Sequence, residues 1–430
     1  MGGSSTTIWT NLALQIGGVA MIGWAAIARP RQHLDQRATG AYLLLAFGLL
    51  VVLLQLIPLP PAIWTELPGR HQLAEALSAL GQAPSWAPIS QDSYGSVLTL
   101  FAIIPAIAVF VATERLGPSP RGIGLAIVAG MIGSVFLGAL QLGGGSGSWA
   151  YLQARHSPGA IGFFANENHM ATLLLVAIPM TAALVVSAKS ERKLSSAARY
   201  GVGAALLLMV AVGIVMNGSR AALGLALPVV LASATIFATA MRWRGLMVTV
   251  AALALAGGVV VVASNPIAPV ETSTGDSSAL MRPAIWSTTA DAIGDTFPAG
   301  TGLGTFERAY HWYEDAADVG RQYINHAHND YLEVVLELGA GGALLILLFL
   351  AWWALAAIRI WSSALATPFA RAAMIATAVI LAQSFVDFPL RTGAISAIFG
   401  ACLGLMAQHL RAPAVAKPGE FRPTRHVKLG

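Results

Sequence analysis

Charge is scarce in this chain. Of its 430 residues only 10% are charged and 56% are hydrophobic, whereas an ordinary soluble domain is about 25% charged. That composition excludes a soluble globular protein, and nothing in it points to a nucleic-acid partner. The mean hydropathy of +0.68 is that of a polytopic membrane protein. Cysteine is nearly absent: Cys402 is the single one, so no intramolecular disulfide can form and the compartment cannot be read from redox chemistry. The opening MGGSSTT carries no basic residue, so the apolar run after it reads as a first, retained span and not as a cleaved signal peptide. Gly300, Gly302 and Gly304 superficially resemble a phosphate loop, but no Lys-Ser/Thr pair closes the pattern and no strand precedes it.

Long apolar runs are plentiful. A membrane span needs about 20 predominantly apolar residues, and eleven runs qualify or nearly so: 8–28, 41–57, 97–113, 122–142, 168–187, 201–216, 221–240, 247–264, 340–360, 371–387 and 393–410. The expected fold is therefore an all-α polytopic membrane protein of about eleven (ten to twelve) transmembrane helices. Lys and Arg accumulate in cytoplasmic loops, and here every odd-numbered span exits into a basic segment: Arg29, Arg31 and Arg37; Arg115 and Arg121; Lys189, Arg192, Lys193 and Arg199; Arg242 and Arg244; Arg359 and Arg371; and the tail with Arg411, Lys417, Arg422, Arg425 and Lys428. This alternation predicts an N-terminus outside and a C-terminus inside. The chain divides into spans one to eight (1–264), a large and mainly helical outer loop (265–339), the last three spans (340–410) and a basic tail (411–430). From Glu271 to Glu337 the loop holds eleven acidic residues against three arginines, and it reads as an external subdomain.

Five polar constellations fall on the outer side of that topology. In INHAHNDYLEVVLELGAGG, Asn329 can cap a helix whose first turn holds Asp330 and Glu333, which puts His328 just ahead of a helix N-terminus. A neutral imidazole there can accept a proton, although a plain capping role accounts for the same residues. Gly339 and Gly342 leave a side-chain-free strip for close backbone packing. His326 and His328, with His311, form only a weak metal-ligand pattern, so no metal and no cofactor is expected. GFFANENHMATLL places Asn166, Asn168 and His169 at the outer end of span five, and MNGSRAALG sets Arg220 in a four-residue connection between apolar spans, where a charge is costly. Arg282 stands in an acidic loop one turn before Trp286, and VDFPLR carries Asp387 and Arg391 either side of Pro389, placed to pair with each other. Two outer arginines can hold a diphosphate bidentately while a histidine manages a proton. The ligand that fits is a lipid-linked diphosphate.

His328-Asn329, nine residues, then Gly339-x-x-Gly342 matches the H-[NSQ]-x9-G-x-x-G pattern of the bacterial O-antigen ligase and polymerase superfamily (WaaL and Wzy). SRAALG around Arg220, the FANENH phrase, Arg282-x-x-x-Trp286 and DFPLR also resemble that family, over about residues 160–400. The resemblance implies an inner-membrane, metal-independent, inverting glycosyltransferase acting at the periplasmic face, with an undecaprenyl-diphosphate-linked glycan as donor and a glycan or lipid A-core as acceptor. Arg220 and Arg282 would hold the leaving diphosphate and His328 would orient or deprotonate the acceptor hydroxyl. Asn166, Asn168, His169, Asn329, Arg391 and Trp286 would line the substrate site, and His326, outside the motif, would matter far less. A chain-length regulator or a flippase is the kind of protein partner such an enzyme has. Trp312 and Tyr313 in the acidic loop favour a polymerase handling an extended sugar chain over a ligase to lipid A-core; protein O-glycosylation is a third acceptor class. A flippase would instead carry its charges at mid-span and show paired interrupted helices, and a scaffold would have no need of His328 with two outer arginines.

Overall fold

The computed structural model describes residues 8–28, 39–145, 149–151, 159–188, 195–237, 277–316, 319 and 323–411. The helices are α1 (Ile8–Ile27), α2 (Thr39–Gln55), α3 (Pro61–Trp64), α4 (His71–Ala79), α5 (Ser93–Leu116), α6 (Pro120–Gly143), α7 (Glu167–Ser187), α8 (Ser196–Asn217), α9 (Arg220–Ala234), α10 (Ser277–Thr296), α11 (Phe306–Tyr313), α12 (Asp330–Ser362), α13 (Pro368–Gln383) and α14 (Gly393–Arg411). Strands are confined, among the described residues, to an antiparallel pair, β1 (Pro58–Leu59) with β2 (Ala87–Pro88). The protein is all-α and polytopic, as the apolar runs require. Among the described residues seven helices are long and apolar enough to cross a membrane, and three shorter apolar ones match the first, second and tenth expected spans. The eighth expected span, 247–264, the beginning of the outer loop and the basic tail lie outside the described residues.

Helix α7 is apolar on every side, and a helix of that kind is buried on every side. From His169 to Ala183 each of its residues is buried, enclosed by α6, α8, α9 and α13. Its partner α13 presents Ala370, Ala372, Ala373 and Ala376, all buried in the same core. In a bilayer lipid tails are as apolar as leucine, so association comes from close van der Waals packing, which small side chains permit. Gly400 and Gly404 of α14 use the same device against α5, where a Cβ on Gly400 would lie 2.5 Å from the Ala106 carbonyl oxygen.

Helix α12 is broken. Gly339, at φ 57 and ψ −138, interrupts it inside the expected G-x-x-G strip. The backbone groups freed at the break are satisfied by the glycine-rich turn after α10: Thr301 N donates to Leu336 O (3.0 Å) and Gly302 N to Glu337 O (2.8 Å), while the helix's own Ala340 N donates to Pro298 O (3.0 Å). Gln55 at the end of α2 donates Nε2 to Glu337 O (2.9 Å) and Ala299 O (3.1 Å). The turn that superficially resembled a phosphate loop is thus a backbone cap for a broken helix. Close packing at Gly339 is with the backbone of this turn, while Gly342 faces Val334 O across the break in its own chain.

Arg199, Arg359 and Arg371, described basic ends of spans, lie at the opposite helix ends from Asn217, Asp330 and Gln383. The polar residues singled out above therefore collect at one end of the bundle.

A Cβ on residue 339 would sit 2.1 Å from Pro298 O at a positive φ. Gly339→Ala should lower thermal stability by at least ~1–3 kcal/mol from backbone strain alone, seen as lost monodisperse protein in size-exclusion after heating. Gly130→Ala, where a Cβ meets nothing within 4 Å, should be neutral.

Candidate active site

Asn329 caps α12 by accepting hydrogen bonds from Tyr331 N (3.0 Å) and Leu332 N (3.1 Å). Just before it, His328 has φ 50, the one positive φ outside glycine among the described residues, a conformation held only where surroundings over-determine it. Those surroundings are the turn between α13 and α14. Asp330 N donates to Ser384 O (2.9 Å), and Asp330 Oδ2 accepts from Ser384 Oγ (2.8 Å) and Leu390 N (3.2 Å).

Along one face of α12, Asp330, Glu333 and Glu337 follow at i, i+3 and i+7, all buried. Arg391 meets this row from the turn: its Nε lies 2.8 Å from Glu333 Oε2, its Nη2 2.8 Å from Glu337 Oε2, and its Nε 3.9 Å from Asp330 Oδ1. Burial weakens a guanidinium's charge, but Glu333, Glu337 and Asp330 outweigh that and raise Arg391 far above its ordinary value. The sequence expectation of an Asp387–Arg391 pair does not describe the structure: Arg391 binds the α12 carboxylates, and Asp387 binds His328. Nor are Asp330 and Glu333 merely dipole-matching residues of a first turn.

His328 Nδ1 lies 3.0 Å from Asp387 Oδ1. Burial would raise the Asp387 carboxyl, but the His328 hydrogen bond and the nearby charges of His169, His328 and Arg282 hold it well below the usual carboxylate range. An ionised carboxylate only accepts, so Nδ1 of a neutral His328 carries the hydrogen and Nε2 carries the lone pair. Within this pair the buried Asp387 Oδ2 has no hydrogen-bond partner, and neither has the buried Nε of Arg282. Arg282 lies on α10 one turn before Trp286, whose Nε1 donates to Ala327 O (2.9 Å), fixing the backbone next to His328. Ile285, Phe306, Tyr310, Ile324, Ala327 and Leu336 make the small core beneath.

Phe388 gathers three histidines. Its ring centroid is 4.0 Å from His326, 5.0 Å from His328 and 5.0 Å from His169. His169, fully buried, shares a 2.8 Å hydrogen bond with Thr392 Oγ1 and packs against Phe164. The same first turn of α7 is tied to the α8–α9 connection: Asn166 Oδ1 accepts from Asn168 N (2.8 Å), Ser219 Oγ donates to Asn168 Oδ1 (2.7 Å), and Asn217 Nδ2 donates to Ala160 O (2.7 Å) and Glu167 O (2.9 Å). Arg220, the first residue of α9, follows Ser219 directly.

The structure thus brings His328, Arg282, Trp286, Asn329, Arg391 and His169 into one assembly. Arg220, Asn166 and Asn168 adjoin it through α7. Asn166, Asn168, Asn329 and Arg391 each have bonding partners within the protein. Asp387 as the partner of His328, Phe388, Glu333, Glu337 and His326 were not legible as parts of the site; the only signal for Asp387 and Phe388 was their place in VDFPLR. No three or more His, Cys, Asp or Glu residues converge into a metal-holding group among the described residues.

Removing Arg391 would leave Glu333 and Glu337, both 0% exposed, without their cation, at a cost of about 3–5 kcal/mol. Arg391→Ala should therefore fail to accumulate as folded protein. Adding Glu333→Gln and Glu337→Gln to it should restore much of the yield in detergent, measured by size-exclusion.

No curated protein matches the chain. Residues 204–347 match the family described as O-antigen ligase (Wzy_C), a third of the chain that includes Arg220, Arg282, His328 and the break in α12 at Gly339. Within this multi-pass membrane protein, residues 204–347 are thus similar to the O-antigen ligase family, a likeness that supports the O-antigen ligase/polymerase superfamily for that segment.

Proposed function

We propose that the chain transfers a glycan from an undecaprenyl-diphosphate-linked donor to an acceptor sugar hydroxyl at the periplasmic face of the bacterial inner membrane. The observation that carries this reading is the His328–Asp387 pair, 3.0 Å apart, beside an arginine whose buried Nε has no partner. His328 Nε2 takes the proton from the acceptor hydroxyl while Asp387 holds the ring and stabilises the imidazolium that forms. The hydroxyl oxygen attacks the anomeric carbon from the face opposite the diphosphate, so configuration inverts. The bond to the diphosphate oxygen breaks, and the electron pair leaves with it. Arg282 and Arg220 receive the charge that develops there, the part of the reaction that fixed guanidiniums stabilise best. In this scheme the two arginines serve where a divalent cation otherwise would. Asn166, Asn168, His169, Asn329 and Trp286 hold the segments that carry these groups, and Arg391 holds the turn that carries Asp387.

Polymerisation of lipid-linked repeat units is the favoured form of the reaction, because Trp312 at the end of α11 is 64% exposed and Tyr323 66%, suited to stacking along an extended glycan, whereas Tyr313 packs against the small core. Ligation to lipid A-core uses the same diphosphate chemistry.

His328→Ala should lose on the order of 10²–10⁴ in rate. Asp387→Asn should lose a comparable factor, because an amide can donate to Nδ1 and leave the lone pair on the wrong nitrogen. Both variants are assayed as glycan transfer at matched concentrations of folded protein, and wild-type rates in both would refute the base assignment. Mass analysis of lipid-linked glycans in a deletion strain then separates the two reactions. Single repeat units identify a polymerase, and full-length unligated chains a ligase.

A further inference from the structure

His326 lies outside the sequence motif, yet the fold treats it as the counterpart of His328. Its Nδ1 is 3.2 Å from Glu333 Oε2, as that of His328 is 3.0 Å from Asp387 Oδ1. Both carboxylates are buried, at 0% for Glu333 and 1% for Asp387. Both rings rest on Phe388, His326 stacked at 4.0 Å and His328 edge-on at 5.0 Å. Ala327 between them is fully buried, whereas the side chains of His326 and His328 remain 26% and 17% exposed. Glu333 also accepts from Ala327 N (2.7 Å) and lies 2.8 Å from Arg391 Nε, so it is ionised and acts only as an acceptor. A neutral His326 therefore donates Nδ1–H to Glu333 and carries its lone pair on Nε2.

We infer that His326 is a second acceptor-binding residue, whose Nε2 accepts a hydrogen bond from the sugar hydroxyl adjacent to the one that His328 activates. The inference rests on the glycosyl-transfer reading of the site. A sugar ring carries hydroxyls on neighbouring carbons, and two carboxylate-oriented imidazoles beside one partly exposed phenyl ring suit two such hydroxyls together with an apolar sugar face. A hydrogen bond of this kind selects the acceptor, since an acceptor lacking that hydroxyl leaves the imidazole unpaired. It does not touch the diphosphate.

The competing role is that of a brace, in which His326 only satisfies Glu333. Two substitutions separate them, because an asparagine amide nitrogen reproduces the position of Nδ1 and a glutamine amide reaches that of Nε2. Transfer is measured with purified full-length protein, fixed lipid-linked donor and, as varied acceptor, the repeat-unit glycan released from its lipid by mild acid. His326→Ala should raise the acceptor KM roughly three- to tenfold, the worth of one hydrogen bond, with kcat within about twofold and the donor KM unchanged. His326→Gln should restore the acceptor KM and His326→Asn should not. The inference is overturned if Asn does as well as Gln, if the Ala variant keeps the wild-type acceptor KM, or if the KM changes track lost melting temperature. Wild-type transfer by His328→Ala would instead sink the glycosyl-transfer reading itself, whereas an inactive His328→Ala alongside unaffected His326 variants would sink this inference alone.

Discussion

The ion pairs of Arg391 with Glu333 and Glu337 are the constraint on which the rest of the site depends. Three carboxylates on one face of α12 cannot be buried without a cation, and the cation comes from the turn between α13 and α14. That pairing seats the turn on the helix. Once it is seated, Asp387 meets His328, Phe388 lies among three histidines, and Thr392 reaches His169. A buried network of this kind is weak evidence for net stability, because desolvation offsets much of the attraction. Its contribution here is register: this placement of the turn satisfies Glu333, Glu337 and the Asp330 bonds to Ser384 and Leu390 at once.

The break in α12 serves the same end. A straight helix from Asp330 to Ser362 would present Glu337 O to its own chain; the break gives that carbonyl to Gly302 N and Gln55 Nε2. The polar first half of α12 is thereby anchored to α2 and to the turn after α10, and its face is set independently of the apolar half that follows. Arg282 and Trp286 arrive from the same α10, so the segment that braces the helix also delivers an arginine to the His328–Asp387 pair. On the far side of α7, the Asn168–Ser219 bond positions the start of α9 and with it Arg220.

How much of this was legible in the sequence depended on the range of the signal. The ten expected spans that fall among the described residues are helices because hydrocarbon-length apolar runs have few alternatives in a bilayer. The cap at Asn329 and the polar residues at the start of α7 were readable because capping and the end of an apolar run act within a few residues. Asp387 was paired with the wrong residue for the same reason: four positions away, Arg391 was the nearest cation in the chain, while the partners chosen by the fold lie 59 and 54 residues distant. His326 was set apart from the site because it stood outside a pattern, and only its contact with Phe388 and Glu333 reveals its equivalence to His328.

By itself, then, the sequence determined the class of protein, the order of its spans, the gathering of polar residues at one end and the identity of His328, Arg220 and Arg282 as the groups to examine. These follow from hydropathy, loop charge and local motif, quantities that a chain carries whatever its packing. Which carboxylate orients which histidine, where α12 breaks and that a glycine-rich turn caps it were decided by the tertiary structure alone. The physical reason is that a buried charge or an unpaired carbonyl must find a partner somewhere, and sequence proximity does not say where. The partner is whichever complementary group packing brings within about 3 Å.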